Sequence, residues 1–390
     1  MLLGLVVVAG VLSVACSDAE NSSNGSVAGQ SSVAGSASGM GGASLTGGAA
    51  NAGATNAGAP AAGSGGLGGA NAGGASVGNG GSATGGAQIG GTSNGGGGQN
   101  AGSSNGGSAS GGSGGAGDDG DRSPTATCAR WKADTANLSE GTWSGSVSSC
   151  TVGDISAEGR ANALRMVNLM RWLADLPAVT TDDSSNQQAQ ACALMMTAND
   201  ELSHSPPMSW DCYSAAGAMG AGSGNISSAP GVESVLSYMV DPGNPTTLGH
   251  RRWILSNELG PIGLGSAGSG GASCMRVFGG KGKGNKAWMA WPPPGAFPLQ
   301  AYKDRYNRVL DDTGWSIQSE LNLSGAQVTV TSGGQARPVT VTELDANYGS
   351  KEAISIIPNG WKAAAGSTYS VSVTGAEMPI SYDVQIVDCN

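Results

Sequence analysis

The tract from Asn21 to Gly120 constrains this chain more than any other feature. It is written almost wholly in Gly, Ser, Ala and Asn, as in "GGASLTGGAANAGATNAGAPAAGSGG". Most of the 69 glycines of the 390-residue sequence fall within it. So few large apolar side chains cannot offset the entropy of ordering a backbone, so a disordered linker is expected over residues 17–122. A Gly/Ser-rich coil of roughly 100 residues has an r.m.s. reach of roughly 50–60 Å, enough to hold a folded region clear of a bilayer. Folding is therefore confined to the chain beyond the linker, and ordered structure is expected from near Thr125.

The segment before the linker reads as an export signal. "MLLGLVVVAGVLSVAC" has the length of a signal-peptide apolar core, is too short to span a bilayer as a helix, and ends in small residues before Cys16. "LSVAC" resembles a bacterial lipobox, with Ser13 where a branched apolar residue is usual. Residues 1–16 are thus expected to be a signal peptide with a lipobox, and Cys16 the lipid-bearing mature N-terminus. No Lys or Arg precedes Arg122, so the basic start of such a signal is missing and an upstream start codon is expected. The expected location is extracytoplasmic, at the cell envelope, with the membrane engaged through the N-terminal lipid.

Six cysteines remain: Cys128, Cys150, Cys192, Cys212, Cys274 and Cys389. An even number in an exported chain predicts three disulfides, and no CxxC pair points to metal or redox chemistry instead. Of the roughly 15 possible pairings, proximity in sequence suggests Cys128–Cys150 and Cys192–Cys212, leaving Cys274–Cys389. A net charge of −10 argues against binding to phosphate backbones, so no nucleic acid partner is expected. The "GGKGKGNK" run at 279–286 does not have P-loop spacing.

Periodicity divides the remainder in two. In "ISAEGRANALRMVNLMRWLADLP", Ala163, Met166, Val167, Met170, Leu173 and Ala174 recur at helical steps, with Pro177 as the stop. A second helix is expected after Asp183 and Ser184, with Ala189, Cys192, Ala193 and Met196 inward. A third should run from Pro230 to about Asp241, with Val232, Val235, Leu236 and Met239 inward. "LGHRRWIL" can form a short fourth. After "WPPPGAFP" the pattern alternates, through Leu321/Leu323, Val328/Val330, Val339/Val341, Ile354/Ile356, Val371/Val373 and Val384/Ile386. That is the signature of a β-sandwich. The boundary is placed within 295–315.

Only two histidines occur in the whole chain, His204 in "LSHSPP" and His250 in "LGHRRWIL". Both fall in the helical region beside helix ends, with Glu233 and Asp241 as acidic neighbours. Histidine with a carboxylate can bind a divalent metal or act as acid and base. The order of motifs here resembles the CAP superfamily, the SCP domain of cysteine-rich secretory, antigen 5 and pathogenesis-related proteins. "VNLMRWLADLPAV" is similar to its first helix and "LSHSPP" to the segment with its first histidine. "GSGNI" stands where the family has Gly-Glu-Asn-Ile, "SYMVD" ends in its second acid, and "GHRRWILSNELGPIGLG" resembles its second histidine segment.

The resemblance covers roughly Ile155 to Trp291. It implies an α-β-α sandwich over 123–300; with the β-sandwich-like domain that the alternation predicts over 301–390, the expected fold class is α+β. It implies a ligand or metal cleft of His204, Asp241 and His250, supported by Asn225 and Arg251. His204 and His250 are the candidate ligands of a divalent metal such as zinc. One family carboxylate is replaced by Gly224, so metal binding is expected to be weak and to strengthen in Gly224→Glu. Arg251 and Arg252 are candidates for an anionic ligand, or else partners of acids such as Glu258. Trp210, Tyr238, Trp253, Trp288 and Trp291 are candidates to line a groove or to fill the core. No catalytic residue is assigned. The expected function is noncatalytic binding of a small hydrophobic molecule or an envelope polymer. The alternatives are a His-dependent, metal-assisted hydrolase and an adhesion or scaffold protein with a vestigial cleft.

Overall fold

The computed structural model of this protein describes residues 121–390. The signal segment, Cys16 and the linker up to residue 120 lie outside the described residues. The ordered chain opens with helix α1 (Pro124–Thr135), capped by the Ser123 side chain, which accepts from the Ala126 amide. Only Thr127 and Trp131 of this helix are buried, so its sequence carries no apolar stripe to betray it.

Helix α2 (Ala157–Leu173) is capped by Ser156 and buries the whole expected face of Ala163, Met166, Val167, Met170 and Leu173. It stops at Leu173, before Pro177. Helix α3 (Asp183–Asn199) starts on Asp182, whose carboxylate accepts from the Ser185 amide at 2.9 Å; the cap lies one residue earlier than expected. Helix α4 (Ala215–Gly222) packs on α3 so closely that a Cβ at Gly220 would lie 2.3 Å from the Gln188 carbonyl oxygen. Strand β1 (Gly224–Ser227), helix α5 (Gly231–Val240), helix α6 (Gly249–Ile254), β2 (Gly263–Ser266) and β3 (Ser273–Arg276) come next in the chain. In α5, Val232, Val235 and Met239 are buried, while Leu236 is only partly so.

The three strands form an antiparallel sheet in the order β1-β3-β2. Alternation along them sends side chains to two different cores. Ile226 and Cys274, directly paired, join Ala189, Cys192 and Met196 of α3. Leu264 and Met275, also paired, join the cluster of α2 and α5. Helices thus cover both faces, and this is the α-β-α sandwich.

The second region begins with β4 (Trp288–Trp291) and β5 (Gly295–Pro298). After a 3₁₀ turn (Leu299–Tyr302) and α7 (Leu310–Thr313) come β6 (Trp315–Ser319), β7 (Gln327–Ser332), β8 (Gln335–Arg337), β9 (Val339–Glu343), β10 (Glu352–Pro358), β11 (Thr368–Thr374) and β12 (Ile380–Val387). They form two sheets, β4-β6-β10-β9 and β5-β12-β11-β7-β8, and only the β5–β12 pairing is parallel. Ile317, Ile354 and Ile356 of one sheet share a core with Val371, Val373, Val384 and Ile386 of the other. Both sheets recruit a strand from before residue 301, so a cut after residue 300 would remove β4 and β5 from the sandwich they belong to. Leu321 and Leu323 form no strand; Leu323 is buried from a turn.

All six cysteines are paired, but with different partners from those that sequence proximity suggested. The bonds are Cys128–Cys389, Cys150–Cys212 and Cys192–Cys274. Cys192 faces inward from α3, where the sheet beneath it presents Cys274. Cys212, though nearer to Cys192 in sequence, lies in a loop that meets the 146–151 turn instead. Three disulfides are the mark of an extracytoplasmic protein. Among the described residues, no helix is long and apolar enough to cross a membrane.

Candidate functional site

Two segments bring the histidines together. The loop after α3 carries His204, and α6 carries His250; their ring centroids lie 6.5 Å apart. Both rings line one cleft of about 410 Å³.

Each ring is held through Nδ1. His204 Nδ1 lies 2.8 Å from the Ala221 carbonyl oxygen, which can only accept, so this nitrogen carries the proton. His250 Nδ1 lies 3.0 Å from Asp241 Oδ1. Asn244 Nδ2 donates to the same oxygen at 2.7 Å, and sharing that acceptor brings it 3.2 Å from His250 Nδ1. A ring lone pair aimed at the carboxylate would be repelled, so His250 also carries its proton on Nδ1. In the neutral form of each ring Nε2 is left with the lone pair. Burial is the main cause that lowers the pKa of His204; the nearby His250 lowers it further and the Ala221 carbonyl opposes both. The His204 ring is thereby biased toward its neutral form.

Asp241 does not enter the cleft as a ligand. Its side chain is fully buried, it caps α5 in the left-handed conformation, and its second oxygen accepts from the Arg251 amide at 3.2 Å. It orients His250 from behind. Asn225 is likewise buried and donates to the His250 carbonyl at 3.1 Å, fixing the backbone rather than a ligand. Glu233 lies outside the site and pairs with Arg305.

Arg251, expected to support ligand binding, does not face the cleft. Its guanidinium is inaccessible and donates to the carbonyls of Met239, Val240 and Gly314 and to Ser316 Oγ. Arg252 is equally buried and binds Thr247, Asp345 and Ser350, not Glu258. Burial lowers the pKa of each to about 10, still far above neutrality, so both remain charged. Neither can reach an anion in the cleft.

Among the aromatic candidates, Trp253 lines the cleft, packed 4.5 Å from Phe278. Tyr238 is buried against the His250 ring at 5.1 Å. Trp291 is core, Trp288 packs on Tyr382 in the sandwich, and Trp210 packs against the α3 cluster. Sequence reasoning missed the rest of the lining. Asn244, Thr246 and Thr247 come from the "PGNPTT" segment at 242–247, between α5 and α6, and Asp345 and Tyr348 come from the loop between β9 and β10. The Asn-Pro step at 244–245 marks a turn; nothing in the sequence ties residue 345 to residue 250.

The donor set does not suit a resident zinc site. Zinc takes three or four protein ligands, and the cleft-lining carboxylate of Asp345 does not form a three-ligand group with the two imidazoles. Among the described residues, no group of three or more His, Cys, Asp or Glu side chains is placed to hold a metal. Nor does Gly224 leave an open wall. A Cβ there would lie 2.4 Å from the Met275 carbonyl oxygen, because β3 passes directly against it. No serine hydroxyl is hydrogen-bonded to either imidazole among the described residues, although Ser205 lines the cleft.

Comparison with known families adds one finding. The profile of the CAP family, described as the cysteine-rich secretory protein family, matches residues 164–277. No curated protein matches the chain, and no solved structure does. The match runs from within α2 to just past β3 and takes in both histidines, so the sandwich that carries the cleft is similar to the CAP domain of that family.

Proposed function

We propose that this chain is a lipid-anchored, extracytoplasmic binding protein whose two-histidine cleft takes a polyhydroxylated polymer of the cell envelope, a glycan strand. The lining carries this reading. It mixes hydrogen-bonding groups, among them His204, Thr246 and Asp345, with the aromatic surfaces of Trp253, Phe278 and Tyr348. A sugar ring offers a flat C–H face to an aromatic ring, whose negative face attracts it, and hydroxyls to the polar groups. A lipid tail would strip water from the polar groups and return no hydrogen bonds, at a cost of roughly 1–3 kcal/mol for each. Of the two ligand classes implied by the family resemblance, the envelope polymer fits better than the small hydrophobic molecule.

Calorimetry on the full chain with N-acetylglucosamine tetramer and with palmitate tests this. Saturable binding of the tetramer and none of palmitate is expected. The reverse order refutes the glycan assignment.

A second reading has one observation in its favour. A buried carboxylate that holds a histidine by Nδ1 is how a general base is oriented. Asp241 does this to His250. A hydrolase of this kind would cleave the tetramer it binds, with loss of turnover in His250→Gln; intact tetramer after prolonged incubation counts against it.

A further inference from the structure

The β-sandwich does more than follow the CAP domain. Its loop between Glu343 and Glu352 is built into the wall of the cleft, and Arg252 fixes it there. From α6, the buried guanidinium donates to the Asp345 carbonyl at 2.7 Å, to the Ser350 carbonyl at 3.2 Å and to Ser350 Oγ at 3.3 Å. It also holds the Thr247 carbonyl on the CAP side at 3.0 Å. The Asp345 amide donates to the Thr246 carbonyl at 2.8 Å, so the loop and the cleft-lining 242–247 segment are bonded to each other.

Two glycines allow the approach. Gly349 has φ +71°, and a Cβ on it would lie 2.4 Å from the Arg252 carbonyl oxygen. A Cβ on Gly249 would lie 2.9 Å from Tyr348 Cδ1, which sets the tyrosine ring over the residue next to His250. The Arg252 guanidinium lies 5.7 Å from the centre of that ring. Hydrogen bonds to a charged donor are stronger than neutral ones, so the loop is held in place before any ligand arrives.

We infer that Tyr348 and Asp345 of the β-sandwich are specificity-determining residues of the CAP cleft, and that they select a neutral sugar ring. This rests on the reading of the cleft as a glycan site. Tyr348 supplies an aromatic face, and the exposed Asp345 carboxylate can accept from two vicinal hydroxyls. No lysine or arginine side chain lines the cleft, and the cations behind it donate inward to backbone carbonyls. An anionic ligand would meet Asp345 and no compensating charge, so phosphorylated or uronic sugars are disfavoured. The CAP domain alone would have an incomplete site.

The test uses the full, disulfide-bonded chain and four probes: N-acetylglucosamine tetramer, cellotetraose, tetragalacturonate and a neutral tetrapeptide. Affinities are measured for the native chain and for Tyr348→Phe, Tyr348→Ala and Asp345→Asn. Neutral sugars should bind and tetragalacturonate should not. Tyr348→Ala should weaken sugar binding at least tenfold, and Tyr348→Phe should restore most of it. Asp345→Asn, an exposed change that keeps the fold, should narrow the preference for neutral over anionic sugar.

If the native chain binds neutral sugars and all three variants bind them equally well, the loop has no part in selection and the inference falls while the glycan reading stands. If no sugar binds the native chain, or only the peptide does, the glycan reading falls and takes the inference with it.

Discussion

Replacing Arg251 with methionine should destabilise the protein without touching the cleft surface. The side chain is fully buried and makes four short bonds: Nε to the Met239 carbonyl at 2.6 Å, Nη1 to Gly314 at 2.8 Å and Ser316 Oγ at 3.0 Å, and Nη2 to Val240 at 3.0 Å. Met239 and Val240 end helix α5, and Gly314 and Ser316 belong to the β-sandwich, so one guanidinium closes a helix C-terminus and ties it to the second region. Methionine fills similar volume but donates nothing. Three buried carbonyls would lose their partner at roughly 1–3 kcal/mol each. Asp241 would keep its bonds from Asn244 and the backbone but lose the neighbouring positive charge. Against this, the cost of burying the guanidinium is removed; that cost is visible as its lowered pKa. The net should be about 3–5 kcal/mol, the usual cost of removing one partner from a buried charged network. Urea unfolding with the disulfides intact should show a lower midpoint with an unchanged slope. A loss below about 1 kcal/mol would mean that these bonds do not hold the helix end to the sandwich.

Gly224→Glu should cost stability and give no gain in zinc binding by calorimetry, because its Cβ would collide with the Met275 carbonyl of β3; tighter zinc binding in this variant contradicts the corrected cleft. His204 has a folded pKa below its unfolded value, so below about pH 6.5 the unfolded chain binds more protons. Its contribution to stability is therefore intact above about pH 6.5 and is lost as pH falls toward the lowered folded value, and His204→Gln should flatten the stability–pH slope in that window. Cys128 and Cys389 are 261 positions apart, and chain-entropy arguments give such a closure about 5 kcal/mol. The Cys128→Ser, Cys389→Ser double variant should lose a large part of this in urea unfolding, and an unchanged midpoint refutes it.

What could be read from the sequence is what local rules determine. The apolar face of α2, the inward stripe of α3 and the alternation of β11 and β12 are local patterns, and each holds. The two histidines could be matched to one cleft because their flanking motifs are short and contiguous. The failures have a common cause. Cys274 is inaccessible to sequence proximity because it meets Cys192 across a helix–sheet interface. Arg251 and Arg252 look like surface cations in a basic pair, yet both are buried, because carbonyls from distant segments converge on them. Tyr348 and Asp345 join the cleft through Arg252, a contact with no local signature. Gly224 looks like a missing carboxylate, and only the register of β1 against β3 reveals that a side chain has no room there.

Two histidines, each held by Nδ1, are here assigned to one binding cleft, and ring-¹⁵N histidine NMR can follow each of them because the chain has only two. In the free protein, each ring in its neutral form should show the Nδ1–H tautomer, and N-acetylglucosamine tetramer should shift both Nε2 resonances along one binding curve. Either ring in the Nε2–H tautomer, or a saturating ligand that moves only one of them, would overturn the shared cleft.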